Sequence, residues 1–174
     1  MVNLIEQAKQ KADALLRSAY LAAAEKGMLP EDVAFTGSVD IPKDTKNGDY
    51  AANHAMVSAK PMKKAPRQIA EALAAELDLS GSWFDRVEIA GPGFINFYLS
   101  RKWYGDVLAE VEKAGKDYGR VDVGHGERVM VEFVSANPTG PMTIGNARGG
   151  VLGDTLASVL DRAGYEVHRE FYVN

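Results

Sequence analysis

From Arg128 to Asn174 the residues spell an order that few folds can accept. Arg128 to Ser135 reads as a buried strand that breaks into a loop of small residues and prolines. A helix then runs from Gly145 to Ala163, and a second strand from Glu166 to Val173. Strand, loop, helix and strand make one βαβ unit, expected with a right-handed crossover. This layout puts backbone N–H groups and the positive end of a helix at the carboxyl end of a strand, where α/β sheets bind nucleotide phosphates. A single βαβ unit cannot cover both faces of its parallel strands. The sequence is therefore expected to stop inside a domain, which leaves open whether the unit is ordered, swapped with a neighbour or self-associated.

Upstream the pattern differs. Asn3 and Glu6 form a capping-box pair, and Ile5, Ala8, Ala12, Leu15, Leu16, Ala19 and Ala23 recur at helical spacing, which predicts a helix from Leu4 to Lys26. Val33 to Ile41 alternates in the manner of a strand, and helices are expected over Tyr50 to Ala59 and Pro66 to Leu77, the latter opened by a first-turn proline. Gly91-Pro92-Gly93 marks a turn between strands Arg86 to Ala90 and Phe94 to Leu99. Ser100 is placed to cap a helix from Arg101 to Lys113. The polar, glycine-bearing stretch from Gly119 to Glu127 reads as a boundary between residues 1–118 and 119–174.

Composition narrows the partners. A net charge of −4 over 174 residues argues against a generic nucleic-acid coat, because phosphate neutralisation needs clustered Lys and Arg. One such cluster exists: Lys60, Lys63, Lys64 and Arg67 lie around Pro61 and Pro66, read either as solvated surface or as an RNA contact. No apolar run approaches a membrane span and no secretion signal opens the chain, so no membrane partner and a cytoplasmic location are expected. The absence of cysteine excludes disulfides, cysteine-ligated zinc and thiol catalysis. His54, His125 and His168 have no paired spacing that suggests a metal site and read as surface or capping residues.

Ser135, Asn137, Pro138, Thr139, Gly140, Pro141, Gly145, Asn146, Arg148 and Gly149 together resemble the ATP-site signature of arginyl-tRNA synthetases, class I enzymes. Thr143 departs from it, standing where the family carries the first histidine of its HIGH motif; Asn146 stands at the second, where asparagine is a recognised variant. Three further blocks resemble the same family in its order: Ile41-Pro42-Lys43 with Asn47 to Asn53, Ala90 to Phe97, and Gly164-Tyr165-Glu166-Val167 with Arg169 to Asn174. The resemblance implies an α+β amino-terminal additional domain, followed by the first βαβ unit of an incomplete, Rossmann-like α/β class I catalytic domain.

It also implies roles. The family joins arginine to tRNA-Arg through an ATP-dependent activation, with magnesium implied only through ATP. Pro138, Thr139, Gly140, Pro141, Gly145 and Asn146 would form the ATP loop, with Thr143 and Asn146 at the catalytic positions. Asn146 reads equally as a phosphate donor or as a helix cap. Replacing the histidine by Thr143 would cost about 10² to 10³ in rate, as for one lost preorganised donor. Glu132, with Ser135 and Asn137, is the candidate arginine pocket; alternatively Glu132 pairs with Arg148 or Arg169. Phe94 and Asn96 match the family's tRNA-contacting hairpin, where an exposed aromatic can stack on a base, unless Phe94 fills the core.

Two readings of function remain. In one, this is the amino-terminal part of an arginine–tRNA ligase, inactive as an isolated polypeptide. In the other, the first domain is a stand-alone tRNA-binding module attached to an inert remnant. A third, another nucleotidylyl-transferring enzyme, does not account for the Asn47 to Asn53 and Ala90 to Phe97 blocks.

Overall fold

A computed structural model describes residues 3–173, which form two compact units, one ending at Lys113 and the other beginning at Ala114. In the first unit α1 (Leu4–Glu25) starts where the Asn3 side chain accepts the Glu6 amide at 3.1 Å. Its buried stripe, Ala8, Ala12, Leu16, Ala19 and Ala23, follows the helical period. Mostly small residues on that stripe let α1 lie close to its neighbours. Strands β1 (Val39–Asp40), β2 (Tyr50–Ala52), β3 (Phe84–Ala90) and β4 (Phe94–Leu99) form an antiparallel sheet in the order β1-β2-β4-β3. Helices α2 (His54–Met62) and α3 (Pro66–Glu76) complete the core, in which Leu16, Ile69, Leu73, Ile95 and Phe97 are fully buried. Burying each such side chain contributes roughly 1.5–3 kcal/mol. Helix α4 (Arg101–Ala114) follows the sheet.

Several expectations need correction. Tyr50–Ala52 is a strand and not the start of a helix, because Tyr50 pairs with Phe97 and Ala52 with Ile95 on β4. Helix α2 consequently begins at His54. Of the Val33 to Ile41 stretch only Val39 and Asp40 find ladder partners; the Ser38 amide donates instead to the Asn53 side chain at 2.8 Å. Ser100 does not cap α4 with its hydroxyl, which is buried without a hydrogen-bond partner. Its backbone carbonyl accepts the Trp103 amide at 3.1 Å.

In the second unit β5 (Arg128–Glu132) and β6 (Glu166–Glu170) pair in parallel, and α5 (Ile144–Arg162) connects them. Both strands are shorter than expected. A Cβ on Gly153 would lie 2.4 Å from the Cβ of Phe133, so the absent side chain lets α5 approach the segment just after β5. Ala157 is the one buried hydrophobic residue described in this unit, while Met130, Leu152, Leu156 and Val159 remain exposed. That is the uncovered surface expected of a lone βαβ unit. Asn174, the last residue of the Arg169 to Asn174 block, lies outside the described residues.

Candidate nucleotide and RNA sites

In the second unit the chain leaves β5 through Val134, whose φ of 63° is left-handed. For a β-branched residue this costs on the order of 1–3 kcal/mol and belongs with sharply redirected loops at functional sites. Two tight turns follow, the Ala136 amide donating to the Val134 carbonyl and the Thr139 amide to that of Asn137, each at 2.8 Å. The loop walls an open cavity of about 700 Å³ together with Asn146 and Phe171. Pro138, Thr139, Gly140, Pro141 and Thr143 all line it, so the structure brings these expected residues together. Gly145 opens the first turn of the adjoining helix.

Thr143 is the N-cap of α5 and Asn146 the third helical residue, which corrects the reading of Asn146 as the cap itself. The Thr143 amide and hydroxyl donate to Asn146 Oδ1 at 2.9 and 2.8 Å, and Thr143 Oγ1 accepts the Asn146 amide at 3.3 Å. This reciprocal capping box fixes both side chains without charge. Ser135 Oγ accepts the Tyr172 amide at 3.0 Å and so ties together the segments leaving β5 and β6. Glu132 is exposed, contrary to the expectation of a strand covered on both faces, because only one further strand and one helix accompany it. Arg169 engages Asp154 at 3.2 Å and Ser158 at 3.0 Å, on α5.

In the first unit β4 and the hairpin turn border a groove of about 460 Å³, lined by Asp40, Pro42, Asn47, Asn53, Pro92, Phe94 and Asn96 among others. Phe94 is half-buried and forms a wall, neither fully exposed nor core. Asn96 is only 3% exposed, and its Oδ1 has no hydrogen-bond partner. A buried, unsatisfied amide oxygen costs about 1–3 kcal/mol, so its position at a groove marks where a donor from a ligand can bind. The Asp40 carboxyl is held below its usual pKa by the Ser38 hydroxyl and by Lys9 3.5 Å away, which keeps this wall anionic. Asp40, Asn53 and Pro92 were not foreseen at the site. The available signal was the quoted Asn47 to Asn53 block; Asp40 enters only through β1–β2 pairing.

Lys60, Lys63, Lys64 and Arg67 are exposed around the corner between α2 and α3, and Arg67 pairs with Glu71 at 3.2 Å. His54 is fully buried, not a surface residue: its Nε2 lies 2.9 Å from Asp13 Oδ1. Burial depresses its pKa, and the Asp13 carboxylate only partly opposes this. A Cβ on Gly37 would sit 2.5 Å from the His54 ring, so this imidazole is enclosed as tightly as a core residue.

Residues 6–99 match the arginyl tRNA synthetase N terminal domain, and residues 108–174 match the catalytic domain of class I (R) tRNA synthetases. The arginine–tRNA ligase of Acetivibrio thermocellus is 49% identical over 174 residues, covering 100% of this chain and 31% of that protein. The arginine–tRNA ligase of Caldanaerobacter subterraneus is likewise 49% identical over 174 residues, with the same coverage of 100% and 31%. The chain therefore spans 31% of the length of these relatives. In the crystal structure of the arginyl-tRNA synthetase from Plasmodium falciparum, a region covering 94% of this chain and 30% of that one matches with a TM-score of 0.52. At 16% identity this match speaks for the fold alone. The chain belongs to the arginyl-tRNA synthetases, carrying their N-terminal domain and the opening part of their class I catalytic domain.

Proposed function

We propose that the chain serves the arginine–tRNA ligase reaction, in which ATP activates arginine for transfer to tRNA-Arg. Residues 1–118 grip the tRNA and residues 119–174 supply part of the ATP and arginine site. The observation that carries the reading is the open cavity at the end of β5, lined by Pro138, Thr139, Gly140, Pro141, Thr143 and Asn146. The protein's own packing does not demand glycine at two key positions. A Cβ on Gly140 would meet nothing within 4 Å, and one on Gly145 only Thr143 Oγ1 at 3.5 Å. Small residues facing open space suit a ligand that approaches the backbone, as a nucleotide does.

In this reading Asn146, held by Thr143, presents its side-chain amide to the phosphates. Glu132, Ser135 and Asn137 face the amino acid. Among the described residues no group of three or more His, Cys, Asp or Glu side chains is arranged to hold a metal ion, so magnesium would arrive with the ATP phosphates. Phe94 stacks on a tRNA base, Asn96 bonds its edge, and Lys60, Lys63, Lys64 and Arg67 meet the backbone. No helix of the described residues is long and apolar enough to cross a membrane, in keeping with the proposed cytoplasmic site of the reaction.

The 174-residue polypeptide itself is expected not to activate arginine. Its two-stranded parallel sheet leaves Met130, Leu152, Leu156 and Val159 uncovered, and Thr143 replaces the family's histidine. Arginine-dependent exchange of pyrophosphate into ATP, assayed with tRNA present, should be undetectable; sustained exchange would overturn this part. A second reading, a stand-alone tRNA-binding module, is favoured by one observation: of the described buried hydrophobic residues all but Ala157 belong to the first unit. It retains tRNA binding and drops any role for the loop after β5.

A further inference from the structure

The groove beside Phe94 is built to accept a base and to refuse a phosphate. Its buried acceptor is Asn96 Oδ1, and its rim carries the Asp40 carboxylate, so both polar features ask for hydrogen-bond donors. A polyanionic strand whose base enters here must set down its phosphates elsewhere.

The nearest cationic surface along the hairpin can be identified. Gly93 has φ +145°, and a Cβ on it would lie 2.8 Å from the carbonyl carbon of Pro66 and 2.9 Å from its oxygen. The hairpin turn therefore rests on the first turn of α3. Lys64 is two residues before Pro66, and Phe94 directly follows Gly93, so the Cα atoms of Lys64 and Phe94 lie within roughly 17 Å of each other. Lys60, Lys63 and Lys64 are exposed and have no ion-pair partner among the described residues, whereas Arg67 beside them is occupied by Glu71. Lys63 ends α2 at φ 52°, a left-handed conformation that turns the chain sharply at this corner. An ammonium without a partner is free to release counterions when it meets a phosphate.

We infer that the corner formed by Lys63 and Lys64, with Lys60 behind it, is the phosphate-binding half of one RNA site whose base-binding half is the Phe94–Asn96 groove, and that the Gly93–Pro66 contact holds the halves in register. This rests on the tRNA reading above and assigns separate physical tasks to its two ends.

The test measures how binding depends on salt. The whole chain is titrated with a fluorescent transcript of an arginine-accepting tRNA at several salt concentrations, comparing wild type, Lys63→Ala with Lys64→Ala, Phe94→Ala, and Lys11→Ala on the exposed side of α1. Each lost phosphate contact reduces the slope of log affinity against log salt by about 0.7 to 0.9. The double variant is therefore expected to lose about 1.5 of slope and on the order of tenfold in affinity at low salt. Phe94→Ala should weaken binding with the slope intact, and Lys11→Ala should change neither. If the double variant keeps wild-type slope and affinity while Phe94→Ala weakens binding, the corner assignment is wrong and the groove reading stands. If Phe94→Ala has no effect, or the chain does not bind, the groove reading fails and the single-site inference falls with it.

Discussion

Thr143 and Asn146 hold each other at the head of α5: Asn146 Oδ1 accepts from the Thr143 amide and hydroxyl, while Thr143 Oγ1 accepts the Asn146 amide. The two positions that the family signature reserves for phosphate chemistry are here also the helix cap. Thr143→Ala removes the side-chain half of the box and should cost about 1 kcal/mol of local stability. Faster amide exchange in the first turn of α5 would report the loss. Exchange rates equal to wild type would show that the cap carries no weight.

Two neighbouring glycines should respond in opposite directions. At Gly153 an added methyl meets Phe133 at 2.4 Å, which outweighs the gain of about 1 kcal/mol from replacing glycine in a helix. Gly153→Ala should lose roughly 1–3 kcal/mol through overpacking. At Gly149 nothing lies within 4 Å, so Gly149→Ala should gain up to about 1 kcal/mol. Urea denaturation of both variants checks the pair, and a stabilised Gly153→Ala would refute the packing described for α5.

His54 makes stability depend on pH. Its pKa in the folded chain is depressed below the ordinary 6.5 by burial, so the unfolded chain binds this proton more readily. Its contribution is therefore complete above about pH 6.5 and declines as the pH falls below it, toward the folded pKa. Asp13, held below its usual pKa by Arg17 and His54 against the opposing effect of burial, adds a loss only at more acidic pH. The melting temperature should fall between pH 7.5 and pH 5.5, and His54→Gln should flatten that dependence. A wild-type curve that is level across the interval would contradict the buried, neutral imidazole.

Protection against hydrogen exchange should divide between the units. The first unit holds every described buried hydrophobic residue except Ala157, so the amides of α1, α3 and β4 should exchange through the slowest openings and those of α5 and β6 through much faster ones. Equal protection of α5 and α1 would mean that the exposed apolar residues of the second unit are covered in solution.

Much of the plan was legible in the residues. Asn3 marks the first helix, Pro66 opens α3, Gly91-Pro92-Gly93 joins β3 to β4, and the order from β5 to β6 was readable without coordinates. What escaped depended on distant partners. Tyr50–Ala52 has local helical character, but its pairing with Ile95 to Phe97 makes it a strand. His54 is buried because Asp13 supplies a partner 41 residues upstream, a relation that spacing along one element does not reveal. At the sites, the ATP-loop residues were readable from their motif. The groove floor at Asn96 and its Asp40 rim needed the register of three paired strands.

The most direct test of the account is to add an arginine-accepting tRNA transcript to the isotopically labelled chain and follow each amide by NMR. The account predicts that the largest changes fall on Gly93, Phe94 and Asn96 and on the Lys63–Lys64 corner, with the outer face of α1 unchanged. Changes that spare the hairpin, or none at saturating tRNA, would contradict it.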